Sequence, residues 1–269
     1  MIRLALRERP PFRLSLLGLT PERLAGLGEA EIARLPLQQG NRRGVLGDWF
    51  TVGAAGGPDE RLTLAVGDDR LDDVGAGMSR GEIQVEGDVG ARAGMAMSGG
   101  RLVVAGSAGQ GAATAMSGGD LRIAGTAGDG LGGALPGERN GMSGGTVIVA
   151  GAAGSGVGDR LRRGLVVVAS AVGPCCGARM SAGTIVVGGR LAEFAGAAMR
   201  RGSILGLGDC AEILPSFGES GIHDLVFQRL LARLLERSGL PELAARLQPL
   251  RRWQGDLAIA GKGEILTAP

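Results

Sequence analysis

A nineteen-residue self-similarity runs through the middle of this chain and constrains its fold more than any other feature. Aligned on one apolar position, the repeat places Met78, Met97, Met116, Met142, Leu161, Met180 and Met199 at steps of 19, 19, 26, 19, 19 and 19 residues. Such spacing, broken by one insertion, marks a repeat architecture in which each unit buries its apolar side against its neighbours. Three residues beyond each anchor stands a glycine: Gly81, Gly100, Gly119, Gly145, Gly164, Gly183 and Gly202. A short β-prone run follows, carrying the alternating pairs Ile83/Val85, Leu102/Val104, Leu121/Ile123, Val147/Val149, Val166/Val168 and Ile185/Val187. Small residues close each run at Gly87, Gly106, Gly125, Gly151, Ser170, Gly189 and Gly208. Gly90, Gly109, Gly128, Gly154 and Gly173 follow three positions on, until Ala192 and Ala211 depart from the pattern.

Four or five residues between glycines are strand length, too short for helices. The repeat therefore predicts an all-β core, a right-handed parallel β-helix of about seven 19-residue coils over residues 71–212. The alternating pairs point inward, the methionines add a second apolar ladder, and glycines turn the corners. At strand spacing such a rod is roughly 30 Å long, with two end edges that need covers.

Composition narrows the alternatives. Glycine supplies 52 of 269 residues without the every-third spacing of collagen. Apolar residues at 44% and a net charge of +2 argue against disorder. The opening MIRLALRERP scatters charges among apolar residues and reads as neither signal peptide nor membrane anchor. No apolar run approaches membrane-spanning length. Three cysteines, two of them adjacent, make no disulfide framework and fit a reducing, cytoplasmic setting.

Between the inward pairs lies an outward position, held by Gln84, Val103, Arg122, Ile148, Val167, Val186 and Leu205. A solvated face would stay polar there, so the later apolar strip requires a cover, either the C-terminal helices or another protein chain. The insertion at 130–140 is rich in glycine and carries a proline; it reads as a loop, either a binding excursion or a tolerated surface feature.

The flanks differ from the repeat. Residues 1–70 read as a small α/β cap: strands at 2–6 and 12–16 forming an opening pair, a helix starting at Thr20-Pro21-Glu22, and a strand at 62–66. Residues 213–269 read as a helical cap with a terminal strand. One helix runs from Ile222 to about Arg237, capped by Ser220 and packing through Ile222, Val226, Leu230, Leu231, Leu234 and Leu235. A second starts at Pro241-Glu242, and the tail at 255–261 echoes the repeat's strand pattern.

Little in the inventory points to catalysis. His223 is the only histidine, so no multi-histidine metal site can be built. Cys175-Cys176 lacks CxxC spacing, and no GxSxG elbow or P-loop occurs. Near-balanced charge and scarce aromatics argue against nucleic-acid binding. Arginines recur near coil edges, among them Arg80, Arg101, Arg122, Arg139, Arg162, Arg163, Arg179, Arg200 and Arg201. These suit bidentate recognition of carboxylates or ordinary solvated charge.

The GxxM-xxG-xxxVxGxxG coils, with Asn41-Arg42-Arg43, Leu46-Gly47-Asp48 and the insertion ending Glu138-Arg139-Asn140-Gly141-Met142, resemble the C-type subunit of formylmethanofuran dehydrogenases. The coil consensus alone also resembles the C-terminal domain of the large glutamate synthase subunit. The first resemblance implies a noncatalytic component beside the A and B subunits and a formyltransferase. Archaeal members serve tungsten or molybdenum dehydrogenases. The bacterial formyltransferase/hydrolase complex moves a formyl group from formyl-tetrahydromethanopterin to a methanofuran-like carrier, then releases formate. An Ala- and Arg-rich composition, typical of a GC-rich genome, favours the bacterial complex. Catalytic residues, and any metal, are expected in the other subunits, with no cofactor assigned to this chain. Arg122, Arg139 and Arg163 are the candidates here for contacts to a neighbouring protein of the complex or an acidic cofactor tail.

Overall fold

The computed structural model describes residues 1–53 and 60–269. Its N-terminal region holds β1 (Ile2–Leu6), β2 (Leu14–Ser15), α1 (Pro21–Leu24), α2 (Glu29–Ala33), β3 (Pro36–Gln39), β4 (Arg42–Val45), α3 (Leu46–Trp49), β5 (Phe50–Gly53), β6 (Arg61–Leu64) and β7 (Leu71–Asp72). The repeats supply β8 (Glu82–Val85), β9 (Ser98–Val104), β10 (Gly118–Ile123), β11 (Thr146–Val149), β12 (Leu165–Val168), β13 (Thr184–Val187) and β14 (Ser203–Gly206). The C-terminal segment adds β15 (Gly218–His223), α4 (Val226–Arg237), α5 (Pro241–Ala245), β16 (Leu250–Gly255) and β17 (Gly263–Thr267). These strands form a large, mostly parallel sheet and a small four-stranded one, consistent with a β-helix-like fold carrying a small α/β region.

The sequence register is the sheet register. From β8 to β14 consecutive strands pair in parallel with equivalent residues side by side, as in Val147↔Val166, Val166↔Ile185 and Ile185↔Ile204. A second parallel ladder joins Asp68, Val89, Ala108, Ala127, Ala153, Val172, Leu191 and Cys210. A third runs through the turn between that ladder and the methionine column. There Gly94, Ala113, Gly132, Gly158, Gly177 and Gly196 each donate a backbone N–H, at 2.8 Å, to the preceding step. The enclosed side chains are the predicted ones, the methionine column and Leu161 being fully buried. Cys176 explains itself in this frame. It continues the buried column Val74, Ala93, Ala112, Leu131 and Val157, and burial pushes its thiol up to about 12.

Stacking at strand spacing leaves no room for a side chain at the corner three residues after each anchor. A Cβ on Gly119, whose φ is +90°, would stand 2.8 Å from the carbonyl oxygens of Gly99 and Gly100. Gly130 has the same handedness, φ +72°, but open space around it.

The outer apolar strip is covered by the chain itself. Ile148, Val167, Val186 and Leu205 are buried beneath Leu231 and Leu235 of α4, Leu243 and Ala244 of α5, and Leu247. Arg246 of the loop after α5 donates to the Leu207 carbonyl, tying this cover to the last repeat strand.

Three expectations for the flanks are corrected. The two opening strands do not pair with each other. β1 enters the large sheet between β5 and β6, while β2 joins β3 and β7 in the small one. The first C-terminal helix begins at Val226 rather than Ile222. Residues 218–223 instead pair antiparallel with β16, and the Gln228 side chain accepts the Leu225 N–H to start the helix. Of the predicted packing face, only Leu231 and Leu235 are buried. The closing strand is not 255–261, where Leu257 and Ile259 face solvent, but β17, whose Ile265 and Leu266 are fully buried beside β14.

Asp256 takes over where the repeat stops. Its carboxylate accepts the Ala198 and Ala258 N–H groups, each at 3.0 Å. Burial pushes its pKa up, but these bonds and one with Ser216 outweigh it and hold the group below its ordinary value. A depressed folded pKa contributes stability above the unfolded value, lost as pH falls through the folded one.

Two measurements check this account. Gly119→Ala should lower stability by about 2 kcal/mol or more, and Gly130→Ala by about 1 kcal/mol, in urea denaturation followed by circular dichroism. Asp256→Asn should destabilise the protein at neutral pH, with the gap to wild type closing as pH falls below about 4.

Candidate functional site

The seven extra residues of the insertion leave the ladders in register and bulge outward between Gly133 and Gly141. They form one wall of a concave trough of about 700 Å³, lined by Arg139, Asn140, Arg160, Arg179, Ser181, Ala198, Arg200 and Ile259. A smaller hollow of about 420 Å³ adjoins it, sharing Arg179 and Ala198 and floored mainly by glycine and alanine. Cys175, half-buried at φ +62°, opens into this second hollow.

The arginines occupy costly backbone. Arg160 and Arg179 are equivalent positions one repeat apart, with φ of +57° and +56°. Earlier in the same column stand Gly77, Ala96 and Ala115. A long side chain in the left-handed region costs about 1 kcal/mol or more, so architecture alone does not favour arginine there. Asp159 anchors the pair. It accepts two hydrogen bonds from Arg179, at 2.8 and 2.7 Å, and lies 4.0 Å from Arg160. That hydrogen bonding, reinforced by charge, raises the Arg179 pKa further above its ordinary value. Arg160 also donates to the Glu138 carbonyl at 3.3 Å, bracing the insertion. Among the described residues, no carboxylate pairs with Arg139 or Arg200. Four arginines thus line one trough, and Asp159, beside it, engages two of them.

The sequence candidates separate accordingly. Arg139 lies in the trough. Arg163, exposed before β12, does not line it. Arg122 is half-buried and turned toward its own chain, 3.3 Å from Asp120 and donating at 3.0 Å to the Ser238 carbonyl at the end of α4. Arg160 is not among the sequence candidates, although its place before Leu161 matches that of Arg179 before Met180. Elsewhere, His223 lies in β15, its Nε2 2.8 Å from the Ser220 carbonyl oxygen. Among the described residues, no three His, Cys, Asp or Glu side chains gather to hold a metal ion. No helix there is long and apolar enough to cross a membrane.

Fold and trough together define a β-helix-like scaffold protein with a cationic face. No family model matches the chain. It is 57% identical over 265 residues to the C-type subunit of the formyltransferase/hydrolase complex Fhc of Methylorubrum extorquens, covering 98% of each. It also superposes, with a TM-score of 0.89 and 42% identity over 99% of both chains, on a chain in the crystal structure of that organism's FhcABCD complex with methylofuran. The chain belongs to the family of C-type subunits of formyltransferase/hydrolase complexes.

The cationic trough has a direct test. Arg139→Ala with Arg200→Ala should weaken citrate binding at low salt by about tenfold in titration calorimetry, as for two charge-assisted contacts of about 0.7 kcal/mol each.

Proposed function

We propose that this chain is the noncatalytic, structural C-type subunit of a cytoplasmic formyltransferase/hydrolase complex in one-carbon metabolism. The observation that carries this reading is the near-full-length identity to the equivalent component of such a complex. Its partners are the A and B subunits and a formyltransferase. The complex transfers a formyl group from formyl-tetrahydromethanopterin to a methanofuran-like carrier and hydrolyses it to formate, with metal held outside this chain.

In this reading the rod is a right-handed β-helix of about seven 19-residue coils, with residues 1–70 and 213–269 closing its two ends. The parallel ladders and the recurrent glycine corners support it. The chain's work is positional. A stiff stack with satisfied backbone bonds holds surface groups at fixed separations, which suits a scaffold between moving parts. Arg139 and its trough neighbours face a carboxylate-rich group, either of an adjoining protein or of the carrier's acidic tail, and exposed Arg163 is a further contact candidate outside the trough. Lone His223 and the buried Cys176 support a role without chemistry of its own.

Native mass spectrometry of the protein from its own cells tests the assignment. The expected result is one assembly containing this chain and three different partners, one of them a formyltransferase. Recovery only as a monomer, or formyl transfer by this chain alone, would overturn it.

A further inference from the structure

Helix α4 carries apolar residues on two sides. Its inner side, Leu231 and Leu235, seals the outer strip of the rod. On its outer side Val226, Leu230 and Leu234 stand 70%, 60% and 44% exposed at i, i+4 and i+8, one continuous stripe. A parallel row one residue behind holds Arg229, Arg233 and Arg237, all exposed. Arg229 is engaged by Asp224, whereas Arg233 and Arg237 have no carboxylate partner among the described residues. Ile222, 53% exposed in the preceding strand, adds a further apolar side chain four residues before Val226.

Packing within the chain cannot account for the outer stripe, since the inner side already supplies the helix's burial. Three large aliphatic side chains in one line facing water, beside a solvated basic row, form a binding edge of an amphipathic helix. The charges choose the occupant. In an antiparallel pairing with a second copy, the same flank of each helix meets the other, setting arginine against arginine. A surface that fits must offer an apolar groove bordered on one side by carboxylates.

We propose that the outer face of α4 docks a different protein of the complex, one presenting an apolar groove with an acidic rim. This rests on the assignment to the complex made above. It is separate from the trough, which draws its residues from the insertion and the repeats, with Ile259 beyond them.

The test uses the co-expressed complex, isolated through a tag on one of the other proteins. Leu230→Asp with Leu234→Asp should reduce the amount of this chain recovered by about tenfold or more, because charges enter the centre of the contact. The melting temperature of the isolated variant should match wild type, as both positions are exposed. Arg233→Glu with Arg237→Glu should also reduce recovery, and hydrogen exchange across 226–237 should slow on assembly. Undiminished recovery of the aspartate variant, with unchanged exchange, would overturn the proposal while leaving the assignment to the complex standing. Failure of the wild-type chain to co-purify would overturn both. Dimerisation of the isolated chain abolished by the aspartate pair would overturn it in favour of self-association.

Discussion

The interaction on which everything else depends is the backbone contact between successive repeats. Hydrogen bonds hold neighbouring turns at strand spacing on three sides, so at the corners carbonyls of one turn approach α-carbons of the next. At Gly119 that approach leaves no space for even a methyl group. Glycine is therefore a geometric requirement of a tightly closed cross-section. A narrow cross-section in turn admits one or two mid-sized apolar side chains per side, which explains columns of Met, Val and Ala and the shortage of aromatics.

A stack of this kind has two weaknesses, its open ends and any outer face too apolar for water. The flanking segments answer both. β1 and β6 extend the sheet beyond β8, while β17 and β16 extend it beyond β14. The helices between β15 and β16 then fold back along the outer strip from Ile148 to Leu205. Asp256 supplies a carboxylate to the Ala198 N–H, a donor for which there is no following repeat. One C-terminal segment thus closes an end and shields a side.

How far each part was legible in the sequence follows from how local its cause is. The repeat was readable because identical constraints recur at each step, so Met78, Gly81 and Ile83 state a rule that later residues repeat. The outer strip was equally visible, but Val186 does not encode whether its cover comes from the same chain. The flanks were misread where tertiary pairing outweighed local pattern. Ile222 and His223 sit at the head of a helical apolar periodicity, yet Arg251 and Leu250 of β16 offer them strand partners. The alternation at 255–261 looks like the repeat, but Ile265 fills the vacant core position and Leu266 continues the outer strip. Of the trough, Arg139 was visible as part of the insertion. Arg160 acquires meaning only through stacking beside Arg179, a relation between turns that linear inspection passes over.

The seven added residues between Gly133 and Gly141 do not disturb the ladders, and this has a consequence for the surface as a whole. Every outward residue has an address with two coordinates, its column within the repeat and its step along the axis. Moving one step along a column takes a side chain to the equivalent place on the neighbouring strand. Arg160 and Arg179 are neighbours on this lattice although 19 residues apart in sequence. A loop can grow at one node while every other node keeps its coordinates, so the decoration of the rod varies independently of its frame.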